Sequence, residues 1–156
     1  EAIGSFKGLK RRLEKRLEGP VTVFDDIAHS PAKAASVLKN IRHVYPGKIT
    51  AIFEPNTGNR QHEAIPGYEN AFKHADMVII PRLTTIKIDP NAEHAPLDGA
   101  ELARVLSKDH TNAMYIENDD ELAGKAVVAQ NDGDVIVFLG SHGFRGMIEA
   151  VVDKLK

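Results

Sequence analysis

Two aspartates and a histidine stand where a strand should hand over to a turn. The run VTVF (21–24) passes directly into Asp25 and Asp26, with His29, Ser30 and Pro31 close behind. Carboxylates at a strand end accept hydrogen bonds from ribose hydroxyls, and a neighbouring imidazole packs on a sugar or base. The structural alternative is that Asp26 or Ser30 caps the helix opened by Pro31, with His29 solvated. A receiver domain also begins with two acids after its first strand. It needs a phosphoacceptor Asp after the third, where this chain has Pro81 and Arg82.

Two further segments carry groups able to hold a ligand. EPNTGNR (54–60) packs Glu54, Asn56, Thr57, Asn59 and Arg60 around Gly58, and the planar Arg60 guanidinium suits a carboxylate. The alternative is a solvated loop. GSHGFRG (140–146) spaces three glycines before a helix, and Ser141 and His142 are its candidates to face a ligand. Backbone N–H groups there suit an anion, but the spacing is not the dinucleotide fingerprint, and Gly140 and Gly146 read as turn glycines. KGLKRRLEKR (7–16) concentrates six basic residues in ten positions. It lacks interleaved aromatics, so it reads as a solvated face from which one or two arginines reach a phosphate.

The elements that position these groups are legible as five short apolar runs: VTVF (21–24), ITAIF (49–53), MVII (77–80), AMYI (113–116) and VIVFL (135–139). They are continuous rather than alternating, the pattern of strands buried on both faces. Helical periodicity lies between them over 32–45, over 98–107 with Asp98 as N-cap, over 119–129 and over 145–155. Segment 62–75 also reads as helical, broken by Pro66-Gly67. The basic segment fits a helix through Leu9, Leu13 and Leu17, or a strand through Leu13, Lys15 and Leu17. Strands alternating with helices predict a Rossmann-like α/β fold, an open, mostly parallel sheet covered on both faces. Ligands of such sheets sit outside the carboxyl ends of the strands, where DDIAHS, EPNTGNR and GSHGF all fall.

Composition narrows the class. The chain of 156 residues fits one domain with a core of its own, at 42% hydrophobic and 27% charged residues. A net charge of −2 favours neither a nucleic-acid nor a membrane partner. With no cysteine there is no thiolate nucleophile, which suits a reducing compartment. There is no P-loop, no G-x-S-x-G elbow and no H-x-H or H-E-x-x-H pairing among the seven histidines, so a protein-held zinc is not expected. The start at Glu1, without Met or signal peptide, reads as a piece cut from something longer.

FKGLKRRLE (6–14), VTVFDDIAHSP (21–31) and IFEPNTGNR (52–60) together resemble the C-terminal domain of the Mur ligases. Those enzymes build the peptidoglycan precursor by ATP-dependent amide formation. The recycling branch, the murein peptide ligases, is similar in having Phe-Glu-Pro after the second strand, where the L-alanine-adding ligases have a His-Arg-Tyr type of sequence. GSHGFRGMI is similar to that branch's Gly-Gly-Phe-Gly-Gly loop.

The resemblance implies a cytoplasmic, three-domain parent. Its N-terminal domain binds UDP-N-acetylmuramate, its central domain carries the P-loop and Mg2+, and this domain closes over both. Residues 1–20 are then a lead-in from the central domain and 21–156 the domain itself. Arg12 would contact ATP phosphates, Asp26 the ribose, and His29 would lie close to the nucleoside. Glu54, Asn56, Asn59 and Arg60 would meet the incoming peptide, L-alanyl-γ-D-glutamyl-meso-diaminopimelate. Three positions depart from the pattern: Ile27 replaces an aromatic, Ser30 a second His, and Asn56 an Arg. The isolated domain is expected to be inactive. The alternatives are an L-alanine-adding ligase or a stand-alone small-ligand-binding α/β module.

Overall fold

In the computed structural model, which describes residues 12–128 and 130–156, the five apolar runs are the strands of one sheet. They are β2 (Thr22–Asp26), β3 (Ile49–Glu54), β4 (Met77–Pro81), β5 (Ala113–Ile116) and β6 (Val135–Gly140), preceded by β1 (Glu14–Leu17). The order is β1-β2-β6-β3-β4-β5, with β1 antiparallel to β2 and the other pairings parallel.

Continuous apolar runs were needed because helices cover both faces. In β6, Val135, Val137 and Leu139 enter one core with Ala34, Leu38 and Ile41 of helix α1 (Pro31–Val44) and Leu102 and Leu106 of α2 (Gly99–Leu106). Ile136 and Phe138 point the other way, onto Leu122 and Ala126 of α3 (Asp119–Val127) and Met147 and Val151 of α4 (Met147–Leu155). Burying a Leu, Ile or Val side chain is worth about 1.5–3 kcal/mol, so both faces draw their stability from these apolar residues. Among the described residues, no helix is long and apolar enough to cross a membrane.

Three boundaries differ from the sequence reading and one open alternative, the cap of α1, is decided, each for a local reason. Residues 14–17, read as part of a lead-in, form the edge strand β1, and the two periodicities open for that segment resolve in favour of the strand. The cap of α1 is Ser30, whose Oγ accepts the Lys33 N–H at 3.2 Å, so Asp26 is released from capping. Segment 62–75 forms a 3-10 helix over His62–Tyr68 followed by turns, because Pro66 supplies no N–H to an α-helical ladder. Helix α4 begins at Met147 rather than 145, because Phe144, Arg145 and Gly146 have left-handed φ of 61°, 51° and 86°. Asp98 caps α2 as expected, with its carboxylate 2.8 Å from the Glu101 N–H.

Candidate functional site

The carboxyl ends of β2, β6, β3 and β4 lie side by side, and every polar loop singled out in the sequence gathers there. At β2 the two aspartates separate in role. Asp25, 1% exposed, pairs with Arg16 of β1 at 3.3 Å, and Arg16 continues to Glu149 of α4 at 3.1 Å. Asp26 accepts the Leu13 N–H on Oδ2 at 2.7 Å and the Ala28 N–H on Oδ1 at 2.8 Å. Leu13 has a left-handed φ of 47°, so the Asp26 carboxylate holds a strained turn that presents Arg12 beside it. Arg12, Asp26, Ile27 and Lys33 line one cavity of about 280 Å3. Its rim carries two cations, its wall a carboxylate and the half-exposed Ile27 side chain, a composition suited to a phosphorylated sugar. His29 turns away from it, its Nδ1 2.9 Å from the Ile27 carbonyl.

At β3 the polar cluster is engaged within the fold. Asn56 caps the 3-10 turn Thr57–Arg60 by accepting the Asn59 N–H, and the Asn59 carbonyl accepts the Tyr68 hydroxyl at 2.7 Å. Burial pushes the Tyr68 phenol well above its ordinary range, so it remains a donor. The Asn56 N–H donates to the His29 carbonyl at 3.2 Å, stitching the β2 and β3 loops together. Arg60, expected to hold a carboxylate, points inward: Nε donates to Leu97 O at 3.0 Å and Nη1 to Thr84 O at 2.8 Å. Burial lowers its guanidinium pKa, opposed by the charges of Glu54 and Asp98. Glu54, 1% exposed, accepts the Thr84 N–H on Oε2 at 2.7 Å. Glu54 and Arg60 thus clasp Thr84 and Leu97, the two ends of the long irregular segment that follows β4.

At β6, Gly140 is required by close approach: a Cβ there would stand 2.9 Å from both the Glu54 carbonyl oxygen and the Phe144 ring. The buried Phe144 packs edge-on to Phe138, with centroids 5.1 Å apart. Arg145 clamps Asp119 with Nε–Oδ2 of 3.0 Å and Nη2–Oδ1 of 2.9 Å, and Nη2 also donates to the Arg82 carbonyl at 3.0 Å. Arg82, just past β4, approaches the same carboxylate at 3.8 Å. His142, Thr84 and Thr85 join Arg82 and Arg145 around a cleft of about 570 Å3, while Ser141 is half-buried and outside its lining.

The Arg145 hydrogen bonds hold the Asp119 carboxyl below its usual range, against the opposing effect of burial. A depressed folded pKa contributes stability above the unfolded value and loses it as pH falls through the folded one. Asp119→Asn therefore costs stability at about pH 7, and the deficit shrinks on acidification below the ordinary carboxylate range. Melting temperatures of both forms across that range check it. A deficit independent of pH would count against the ion pair.

The structure brings Arg12 to Asp26 and sets His142 in a second cleft. It does not bring His29 into the first cavity, and it uses Glu54, Asn56, Asn59 and Arg60 for the turn and clasp. Sequence reasoning missed Arg82, Arg145 and Asp119. The available signal was Phe144-Arg145 set between Gly143 and Gly146, where a flexible turn would favour small residues. Among the described residues, no group of three His, Cys, Asp or Glu is arranged to hold a metal ion.

An open α/β domain with its polar loops collected at one carboxyl edge is of the Rossmann-like, ligand-binding class. Within that class the chain belongs to the Mur ligase family: the model of the Mur ligase glutamate ligase domain matches residues 11–142. It is 30% identical over 145 residues to a UDP-N-acetylmuramate–L-alanine ligase of Brachyspira hyodysenteriae, covering 90% of this chain and 30% of that protein. Its fold is that of the UDP-N-acetylmuramate-alanine ligase of Thermotoga maritima, with a TM-score of 0.75 and 22% identity over 99% of this chain and 32% of that one. A murein peptide ligase from Psychrobacter arcticus gives a TM-score of 0.74 and 21% identity over the same shares. The chain thus spans about a third of the length of the proteins it matches.

Proposed function

We propose that this chain is the C-terminal domain of an ATP-dependent ligase that joins UDP-N-acetylmuramate to the free amine of L-alanyl-γ-D-glutamyl-meso-diaminopimelate in peptidoglycan recycling, in the cytoplasm. The cavity that unites Arg12 with Asp26 carries the nucleotide half of the reading. Arg12 takes phosphate oxygens, Asp26 takes ribose hydroxyls on its remaining lone pairs, and His29 braces the loop below the nucleoside. For the acceptor half, Ser141 and His142 face the peptide, and Glu54, Asn56, Asn59 and Arg60 shape the wall it meets. Glu54 with an inward-turned Arg60 leaves the β3 turn without an outward basic group, which favours an extended peptide over a single small amino acid. The L-alanine-adding reading is the second one, favoured by the name of the Brachyspira relative.

The reaction transfers the terminal phosphoryl group of ATP to the sugar-lactyl carboxylate, releasing ADP. The amine then attacks the acyl carbon, inorganic phosphate leaves, and the amine gives up a proton. This chain's part is binding and orientation of the two ends, and the Mg2+ that accompanies ATP would be held elsewhere in the parent. Purified full-length gene product, given ATP, Mg2+ and UDP-N-acetylmuramate, should release phosphate with the tripeptide at least tenfold faster than with L-alanine. A preference for L-alanine would transfer the proposal to the second reading. No amide product with either would end both.

A further inference from the structure

We propose that the basic pocket at the amino ends of β3 and β4 binds a small inorganic polyphosphate anion. The inference stands apart from the ligase reading, because the pocket lies a full strand length from the carboxyl edge. From Ile49 to Glu54 the chain advances roughly 17 Å, at about 3.3 Å per residue. The segment Pro46-Gly47, the basic residues Arg42, Lys48, Lys73 and His74, and the acid Asp76 enclose about 570 Å3 there. None of them lines the Arg12–Asp26 cavity or the Arg82–Arg145 cleft.

The two carboxylates beside the pocket are already engaged. Asp76 accepts Arg42 Nη2 at 2.7 Å and the Ile49 N–H at 2.8 Å, both on Oδ2. Asp134, 4% exposed, abuts Gly47 and accepts the Lys48 N–H on Oδ1 and the Asn131 N–H on Oδ2, each at 2.8 Å. Against these acids stand Arg42, Lys48 and Lys73, with Lys39 close by on α1, so the surplus is positive even with the imidazoles neutral. The chain as a whole carries a net charge of −2, so this is a local reversal of sign. The charges acting on His74, those of Lys73, Lys39, Arg42 and His43, are all positive. Burial first, and then these charges, hold its imidazole below the ordinary range, as a positive potential requires.

The groups divide the work. The Arg42 guanidinium donates to the Tyr45, Gly47 and His74 carbonyls at 3.2, 2.8 and 3.2 Å. It therefore ties the end of α1 to the loop before β4, and occupies carbonyls that would otherwise repel an anion. Arg42 is a positioning residue. Lys73, exposed, and His74, half-buried, are the groups that meet the ligand. Among the described lining residues only Pro46 has an apolar side chain, so no wall is offered to a base or a sugar ring. A ligand that is almost entirely charge fits such a pocket.

Calorimetric titration of the full-length gene product with diphosphate, at constant ionic strength, tests the site. The parent is compared with Lys73→Gln/His74→Gln and with Lys73→Arg. Sites elsewhere, the nucleotide edge included, are common to all three proteins, so only the difference is read. The double variant should lose affinity on the order of tenfold or more at sites tighter than about 10 mM, and Lys73→Arg should retain it. Succinate and adenosine monophosphate should bind the same sites at least about tenfold more weakly than diphosphate. Should a thermal melt show the double variant unfolded, Lys73→Gln alone carries the comparison, since that side chain is exposed. Equal diphosphate binding by parent and variant overturns the proposal, as does no binding by the parent. So does succinate or adenosine monophosphate binding as tightly as diphosphate at the sites the variant removes.

Discussion

Arg60→Ala should be the most destabilising single change at the carboxyl edge, lowering stability by about 3–6 kcal/mol. Two charge-assisted hydrogen bonds, to Leu97 O and Thr84 O, disappear together, each worth roughly 1.5–3 kcal/mol. The Leu97 carbonyl is buried, where water does not readily replace the lost donor, and Glu54 loses one of the positive charges on which it acts. Arg60→Lys should recover less than half of the loss, because one ammonium cannot reproduce the fixed angle between Nε and Nη1. Thermal melts of the three proteins under one set of conditions read this directly. A midpoint for Arg60→Ala within a degree or two of the parent would mean that the clasp is ornamental.

Asp26→Asn carries the second large effect, and it falls on two measurements at once. Were Asp26 the helix cap, such a variant would melt normally, because Asn caps a helix nearly as well as Asp. The structure changes that expectation, since Ser30 is the cap and the Asp26 carboxylate receives the Leu13 and Ala28 N–H groups. An amide keeps one acceptor and turns an NH2 group toward the other N–H. Stability should fall by about 1.5–3 kcal/mol. If the ribose also meets this carboxylate, KM for ATP should rise on the order of tenfold to a hundredfold at temperatures where the variant is fully folded. A lowered melting point with unaltered ATP dependence would reduce Asp26 to a brace for the turn at Leu13.

The sheet was legible because its apolar runs are continuous and its caps are local. Ser30 and Asp98 act on residues three positions along the chain, and Val135 to Leu139 announce burial on both faces. The edge strand β1 was ambiguous because EKRL is amphipathic in either period, and only pairing with β2 decides between them. The site was legible in place but less so in role. DDIAHS, EPNTGNR and GSHGFRG do lie on one edge, as strand polarity requires. What Arg60 does depends on carbonyls 24 and 37 residues downstream, which no local pattern foretells. The Arg82–Asp119–Arg145 cluster likewise joins two loops and the first turn of α3, and its strain appears only in φ.

The clasp at Thr84 and Leu97 also bears on how this domain can diversify. With both ends of the intervening stretch tied to Glu54 and Arg60, and Leu97 seated in the core, the sheet does not register what happens between them. Lengthening a loop whose ends are already fixed costs free energy only logarithmically in its length. Residues 85–96 therefore form a replaceable cassette beside the cleft. Insertion and exchange can proceed there with the fold inherited unchanged.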